Sequence, residues 1–415
     1  MLPPPSRYAR LTREELAIVV PELLLIGHLI DRAGMPWCIS ALGREEMVQI
    51  AIEEWAAASP IYTRRMQRAL RFAPEADGHG DVTTIFKGLQ LDIGAPPQFM
   101  DFRYTVHDER HGEFQLDHCG ALMDVEPMGE EYVVGMCHDI EDPTFDATAI
   151  ASHPKAQVRP IHRPPRVPAD RQPHCAWTVI IDDSYPEASA IPALEVVARS
   201  KAAGLALTPI DPTDSGLADY SGPLLSDLDF AQFSRSALIR MADEVCLQMA
   251  LLTNSFAVAL AARLDPDEAT KIRRKTFTGI AGMAAYRLAR ALDLPHDESG
   301  ARQLLALHPA LNPSAYVVAD LDDESIVVRR SPAHDDPSWI SLCGPEWVDP
   351  FKAAVRVLDA HLDVVASPVD GDAWTMDVVR RDQQAAEAEE VAVTRFSTGT
   401  DFSFETRRSL PISPV

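Results

Sequence analysis

The chain has 415 residues, about 46% of them apolar, so a sizeable core and more than one domain are expected. Its formal net charge is −24, which repels phosphate backbones and anionic lipid heads, so neither nucleic acid nor a membrane surface is expected as a partner. No apolar leader is visible at Met1–Leu16, and the stretch Leu16–Ile30 carries Pro21, Glu22 and His28, so the chain reads as a cytoplasmic protein with no membrane span.

In chain order, residues 12–30 have a helical apolar period, with Thr12 as N-cap and Glu15 three residues on. Gly34 and Pro36 are expected to break that helix, leaving Asp31–Ser40 as an apolar link. Residues 43–72 give one long helix or two short ones. The period then alternates: Phe99–Val106, Gly112–Met123 and Glu131–Cys137 read as strands, a helix is expected to start at Asp142-Pro143, and Ala176–Asp182 reads as a further strand.

The pattern is then repeated. Shifted by 222 positions, Leu11–Phe72 lies on Phe233–Leu294 without a gap, with identities at Arg13, Leu16, Glu22, Leu25, Leu29, Leu42, Glu46, Ile50, Arg65, Arg68, Ala69 and Leu70. Further on, Cys137 meets Cys343, and Ala176-Trp177-Thr178 meets Ala373-Trp374-Thr375. A unit this long is a duplicated domain rather than a solenoid repeat. The expected class is therefore α+β, each copy helical first and then a small, mostly antiparallel sheet, in a two-lobed molecule. The first copy spans 11–184, a connector with a helix at Ile191–Leu207 spans 185–232, and the second copy spans 233–383. A tail occupies 384–415, helical at Asp382–Val393 and extended over Thr394–Val415.

Chemistry concentrates in the first copy. Seven of the 13 histidines lie between His107 and His174, and Cys119, Cys137 and Cys175 lie there too. The second copy answers Cys175 with Asp372 and His138-Asp139 with Gly344-Pro345, as if one copy kept a site and the other served as scaffold. On strands, alternate residues share a face. One phase would gather Cys119, Cys137, Cys175 and Asp139; the other would gather His118, His138 and His174. Both stay open, with the thiol phase favoured because cysteine is the more often buried residue. Such a group could hold zinc or another divalent transition metal through Cys119, Cys137, Cys175, His138 and His174, or could present one thiol as a nucleophile. Three cysteines in a buried sheet with no chemistry are the alternative. Arg32, Arg44 and Arg65 could grip a substrate carboxylate, and Trp37 could line a pocket. Glu53, Glu54 and Glu109 could be general bases, although acids are common throughout so acidic a chain. Nucleotide loops, serine-hydrolase elbows and His-Glu-x-x-His are absent.

The order Cys119, Cys137-x-Asp139, His153-Pro154 and Pro173-His174-Cys175, after the helical lead-in Gly43–Trp55, resembles the L-2-amino-thiazoline-4-carboxylic acid hydrolase-like family over roughly Leu42–Asp182. The resemblance implies hydrolysis of a C–N bond in a small heterocycle or amide, with a small-molecule substrate and Cys119, Cys137, Asp139 and Cys175 as the centre. This chain departs from that family's usual single domain by being written twice. The alternative is a non-catalytic, duplicated ligand- or metal-binding protein that acts as a partner subunit. A homo-oligomer is left open.

Overall fold

A computed structural model of the chain describes residues 3–74, 79–187, 191–322, 325–369, 371–396 and 407–415. The first helix, α1 (Arg13–Leu42), begins as expected: the Thr12 hydroxyl accepts from the Glu15 amide, and the Glu15 carboxylate accepts from the Thr12 amide. It does not stop at Gly34 or Pro36 but runs through both. Burial on the inner side of the molecule outweighs the one lost hydrogen bond, which frees the Arg32 carbonyl four residues before Pro36. Gly43, at φ +88°, makes the turn into a single long α2 (Arg44–Leu70), a backbone conformation that glycine adopts without strain. Then follow α3 (Val82–Leu89) and the hairpin β1 (Met100–Val106) and β2 (His111–Cys119).

Here the alternating pattern misleads. Residues expected to continue β2 turn into α4 (Gly120–Val125), and the expected strand Glu131–Cys137 is helical instead. It comprises α5 (Glu130–Val134), a π-helical turn Gly135–Ile140, and α6 (Glu141–Ala149) as one run. No new cap is needed at Asp142, whose carboxylate pairs with Arg163. The sheet is completed by β3 (Ala156–His162) and β4 (Cys175–Ile181) in the order β1-β2-β4-β3, all antiparallel. An aromatic cluster of Phe86, Phe102, Phe114, Phe145 and Trp177 fastens this sheet to α3 and α6.

The connector helix is split in two, α7 (Pro192–Val197) and α8 (Lys201–Gly204). The second copy repeats the plan: long α9 (Arg235–Ala261) and α10 (Pro266–Ala291), α11 (Glu298–Leu307), then β5 (Ala319–Leu321), β6 (Ile326–Val328), α12 (Asp349–Arg356), β7 (Leu362–Pro368) and β8 (Trp374–Arg380). Its sheet has the order β5-β6-β8-β7, the same topology as the first. The Ala-Trp-Thr echo is structural: Trp177 lies opposite Pro160 on the strand beside it, and Trp374 lies opposite Pro368. A final helix, α13 (Glu389–Arg395), packs on α10; the extended tail expected over Thr394–Val415 falls partly outside the described residues.

The copies interlock about a pseudo-twofold axis, α1 lying on α10 and α2 on α9. Four of the polar contacts across this axis form mates 222 residues apart, as an isologous interface gives. The Arg13 guanidinium donates to the Phe233 carbonyl and Arg235 to the Leu11 carbonyl; Arg65 pairs with Glu244 and Arg287 with Glu22. The two expected lobes therefore share one continuous hydrophobic core. One helix, α9, is long and apolar enough to cross a membrane, and 83% of that stretch is buried inside this core.

Candidate active site

The three cysteines of the first copy's expected centre are all buried. Cys119 caps α4, its sulfur accepting from the Leu122 amide at 3.4 Å; Cys175 opens β4; Cys137 sits in the π-helical turn. Each thiol feels the others or a common neighbour, but that neighbour is Glu141, not Asp139. Because residues 135–149 are helical, positions 137 and 139 point to different sides, and Asp139 is exposed while Cys137 is buried. Burial, then the Glu141 charge, pushes the Cys119 thiol up to about 12 and raises Cys137 and Cys175 well above the usual thiol value.

The other expected site residues disperse. His138 gives its Nε2 to a 2.6 Å contact with the Pro164 carbonyl. His174 stacks near His118, 5.6 Å between ring centroids, with Arg166 and Glu126 close by. Arg65 is spent in the interior on Glu244 and on the carbonyls of Ala203 and Leu205. Trp37 lies under the Lys275 ammonium, 3.8 Å from its ring centre. Arg44 stands at the rim of a groove beside Glu131.

That groove is the main cavity at the first copy. It encloses about 550 Å³ between α1, the start of α2, the α4–α5 segment and α13, and its walls include Met35, Ile39, Val48, Met136, Val393 and Phe396. At Asp31, Arg32, Met136 and Ile140 it meets a second, deeper chamber of about 80 Å³. The chamber is lined by His28, Asp31, Arg32, Tyr62, Asp92 and Glu141, among apolar neighbours. Its polar groups come from α1, α2, the turn after α3, and the start of α6 just after the π-helical turn, while β1, β2 and α4 add Met100, Leu116 and Ala121. A π turn carries one extra residue per hydrogen-bonded ring and is a recurrent device at functional sites. Here it hands Cys137 to the thiol group and Glu141 to the chamber.

The chamber's polar groups lack partners. Neither nitrogen of His28, wedged between Phe99 and Trp55, makes a hydrogen bond; nor do Asp31 Oδ1, Asp92 Oδ2 or Glu141 Oε2. Glu54, outside the lining but within reach of the Asp31 charge, also has both oxygens unbonded. The partners that do exist are few. Tyr62 and the Gly94 amide donate to Asp92 Oδ1 at 2.8 and 2.7 Å, and Arg32 lies 3.7 Å from Asp31 and 3.6 Å from Asp124. Burial holds His28 neutral, down to about 3, and lifts Asp92 to about 6. Burial, with the Asp142 charge, lifts Glu141 to about 8. Asp31 is raised by burial, and Glu54 is raised by burial and by the Asp31 charge. Unpartnered acids in a dry interior are costly and concentrate at sites of function.

These residues belong to the first copy alone. At the 222-residue offset His28 becomes Ala250, Asp31 Thr253, Arg32 Asn254, Glu54 Thr276 and Tyr62 Ala284. In the second copy a buried acid, Asp336, is instead satisfied by the Tyr316 hydroxyl and the Lys201 and Ala202 amides. Arg32 and Glu54 were among the residues singled out by sequence; His28, Asp31, Asp92 and Glu141 were not. The offset comparison that exposes the cysteines exposes His28, Asp31, Arg32 and Tyr62 as readily.

A zinc or other divalent ion at Cys119, Cys137 and Cys175 would need thiolates with converging donors. Burial raises all three thiols above their ordinary value, and among the described residues these sulfurs do not belong to a set of donors all within 4.8 Å of one another. The chain matches no family model, no characterised protein and no solved structure.

Proposed function

We propose that the first copy is the catalytic half of a cytoplasmic hydrolase that opens a C–N bond in a small, nitrogen-rich heterocycle or amide, bound through a cationic nitrogen head. The observation that carries this is the set of buried acids with unpaired oxygens at the end of an apolar groove. Asp31, Asp92 and Glu141 outnumber the one guanidinium, Arg32, so a head bearing positive charge and N–H donors, such as an amidine, supplies what their free oxygens lack. A chamber of about 80 Å³ admits such a head and little else. The apolar groove takes the rest of the molecule. The reaction class comes from the resemblance of the Cys119–Cys175 segment. Six free cysteines support the cytoplasmic setting.

The chemistry follows from the acids. Water adds to the amidine carbon as its proton passes to the Asp31–Glu54 pair; the C–N bond breaks as the departing nitrogen takes a proton from Glu141, which holds one at neutral pH. Burial, with the Asp142 charge, keeps Glu141 protonated. The test offers the full chain cyclic amidines, thiazolines and matched neutral amides, with binding read by calorimetry and products by mass spectrometry. Cations are expected to bind better than their neutral isosteres, and Glu141→Gln is expected to bind but not turn over. Preference for the neutral compounds overturns the reading; binding without turnover in the wild type leaves the non-catalytic ligand-binding alternative.

A further inference from the structure

On the far side of the first sheet from Phe114 and Trp177, the β1–β2 hairpin gathers three side chains that the chamber does not use. His107 and His111 close the hairpin opposite one another, the His107 amide donating to the His111 carbonyl at 3.0 Å. Glu113 is two residues beyond His111 and therefore on the same face, since side chains alternate along a strand. Their neighbours Val106, Gly112 and Phe114 are buried on the other face. The three form a group whose ligand atoms all lie within 4.8 Å of one another. The imidazole rings are 4.5 Å apart between centroids. His107 Nε2 stands 3.3 Å from the Glu113 carboxylate and is shielded from water, yet it makes no hydrogen bond. In the second copy the strand positions flanking the corresponding turn are Asp320 and Leu321 before it and Ile326 after it, with no histidine.

We propose that His107, His111 and Glu113 form a site for a divalent transition-metal ion such as zinc, nickel or cobalt. Two imidazoles and a carboxylate are ligands such ions accept, and three protein ligands leave the remaining positions to water or to an incoming anion. The site is preorganised: register sets His107 against His111, the strand repeat sets Glu113, and the Asp108 amide, donating to the same His111 carbonyl, tightens the turn. It is independent of the chamber and of the three thiols.

The experiment titrates the metal-free full chain with cobalt(II) and zinc(II), following the cobalt spectrum and, by calorimetry, the stoichiometry. One equivalent is expected to bind without the near-ultraviolet sulfur-to-cobalt absorption that thiolate ligation produces. His111→Ala and His107→Ala are each expected to weaken binding more than about tenfold, since loss of a ligand exceeds the usual effect of losing a supporting group. Glu113→Gln, which keeps the side chain's shape, is expected to weaken it as well, and circular dichroism of the metal-free variants checks that the fold is kept. Thiolate absorption at the first equivalent, undiminished affinity in both histidine variants, or no binding at all overturns the proposal.

Discussion

Arg65 of the first copy holds Glu244 of the second at 2.9 Å in the interior, and the residues 222 positions away from each, Arg287 and Glu22, hold one another across the same axis. The pairs differ in depth: Arg65 and Glu244 are 6% and 2% exposed, Arg287 and Glu22 15% and 16%. Breaking a buried pair strands the remaining charge. Arg65→Ala leaves the buried Glu244 with Arg240 as its remaining partner, and is expected to cost about 1–3 kcal/mol, still more than Arg287→Ala, by urea unfolding of the full chain. Equal losses would show that burial does not set the strength of these twin contacts.

Glu141 gives a pH signature. The folded chain keeps its proton to about 8, whereas the unfolded chain releases it near 4.5, so stability falls as pH rises between those values and levels off above 8. His28 acts in the opposite direction. It stays neutral in the fold down to about 3 while the unfolded chain takes up a proton below 6.5, so stability falls as pH drops through that range. Glu141→Gln is expected to flatten the alkaline side of the profile and leave the acid side unchanged. Parallel wild-type and variant profiles from unfolding midpoints would remove Glu141 from the buried set.

The thiols make a sharper test of the chemistry. Burial and the Glu141 charge hold Cys119 at about 12 and raise Cys137 and Cys175 well above the usual thiol value. Native iodoacetamide labelling, read by mass spectrometry, is expected to reach them only as slowly as the protein opens, and to accelerate in urea. Rapid labelling of any one at neutral pH would restore the thiol-nucleophile reading.

The tail helix seats α13 against α10 through Gly279, where a Cβ atom would stand 2.7 Å from the Glu390 carbonyl oxygen. Gly279→Ala is expected to shift α13, to cost about 1–3 kcal/mol, and to weaken ligand binding, because Glu389, Ala392 and Val393 line the groove. Calorimetry with the best cationic ligand checks this; unchanged affinity would mean that the groove works without α13.

How much of this was legible in the chain divides along physical lines. Apolar periodicity and the 222-residue echo carried the duplicated α+β plan, because both report which residues must be buried. The Thr12–Glu15 box was readable because capping is local. Three features were not. Glu131–Cys137 alternates like a strand, yet its segment winds into α5 and the π turn, so the strand parity that joined Cys137 to Asp139 gave way to helical spacing and to Glu141. Pro36 breaks a helix only where tertiary burial does not compensate. His28 and Asp31 sit in the most apolar stretch of the chain, where propensity sees a core helix, and acids as numerous as 62 Asp and Glu give no reason to single out the few that are buried. Depth, which long-range packing decides, separates Glu54 from Glu53.

The position of α13 has a consequence for how the protein is made. Every residue lining the acid-lined chamber is in the chain by Thr148, but the groove leading to it waits for a helix at Glu389–Arg395. A nascent or prematurely terminated chain would hold the whole reactive set behind an unfinished entrance, so competence for the substrate arrives late in biosynthesis.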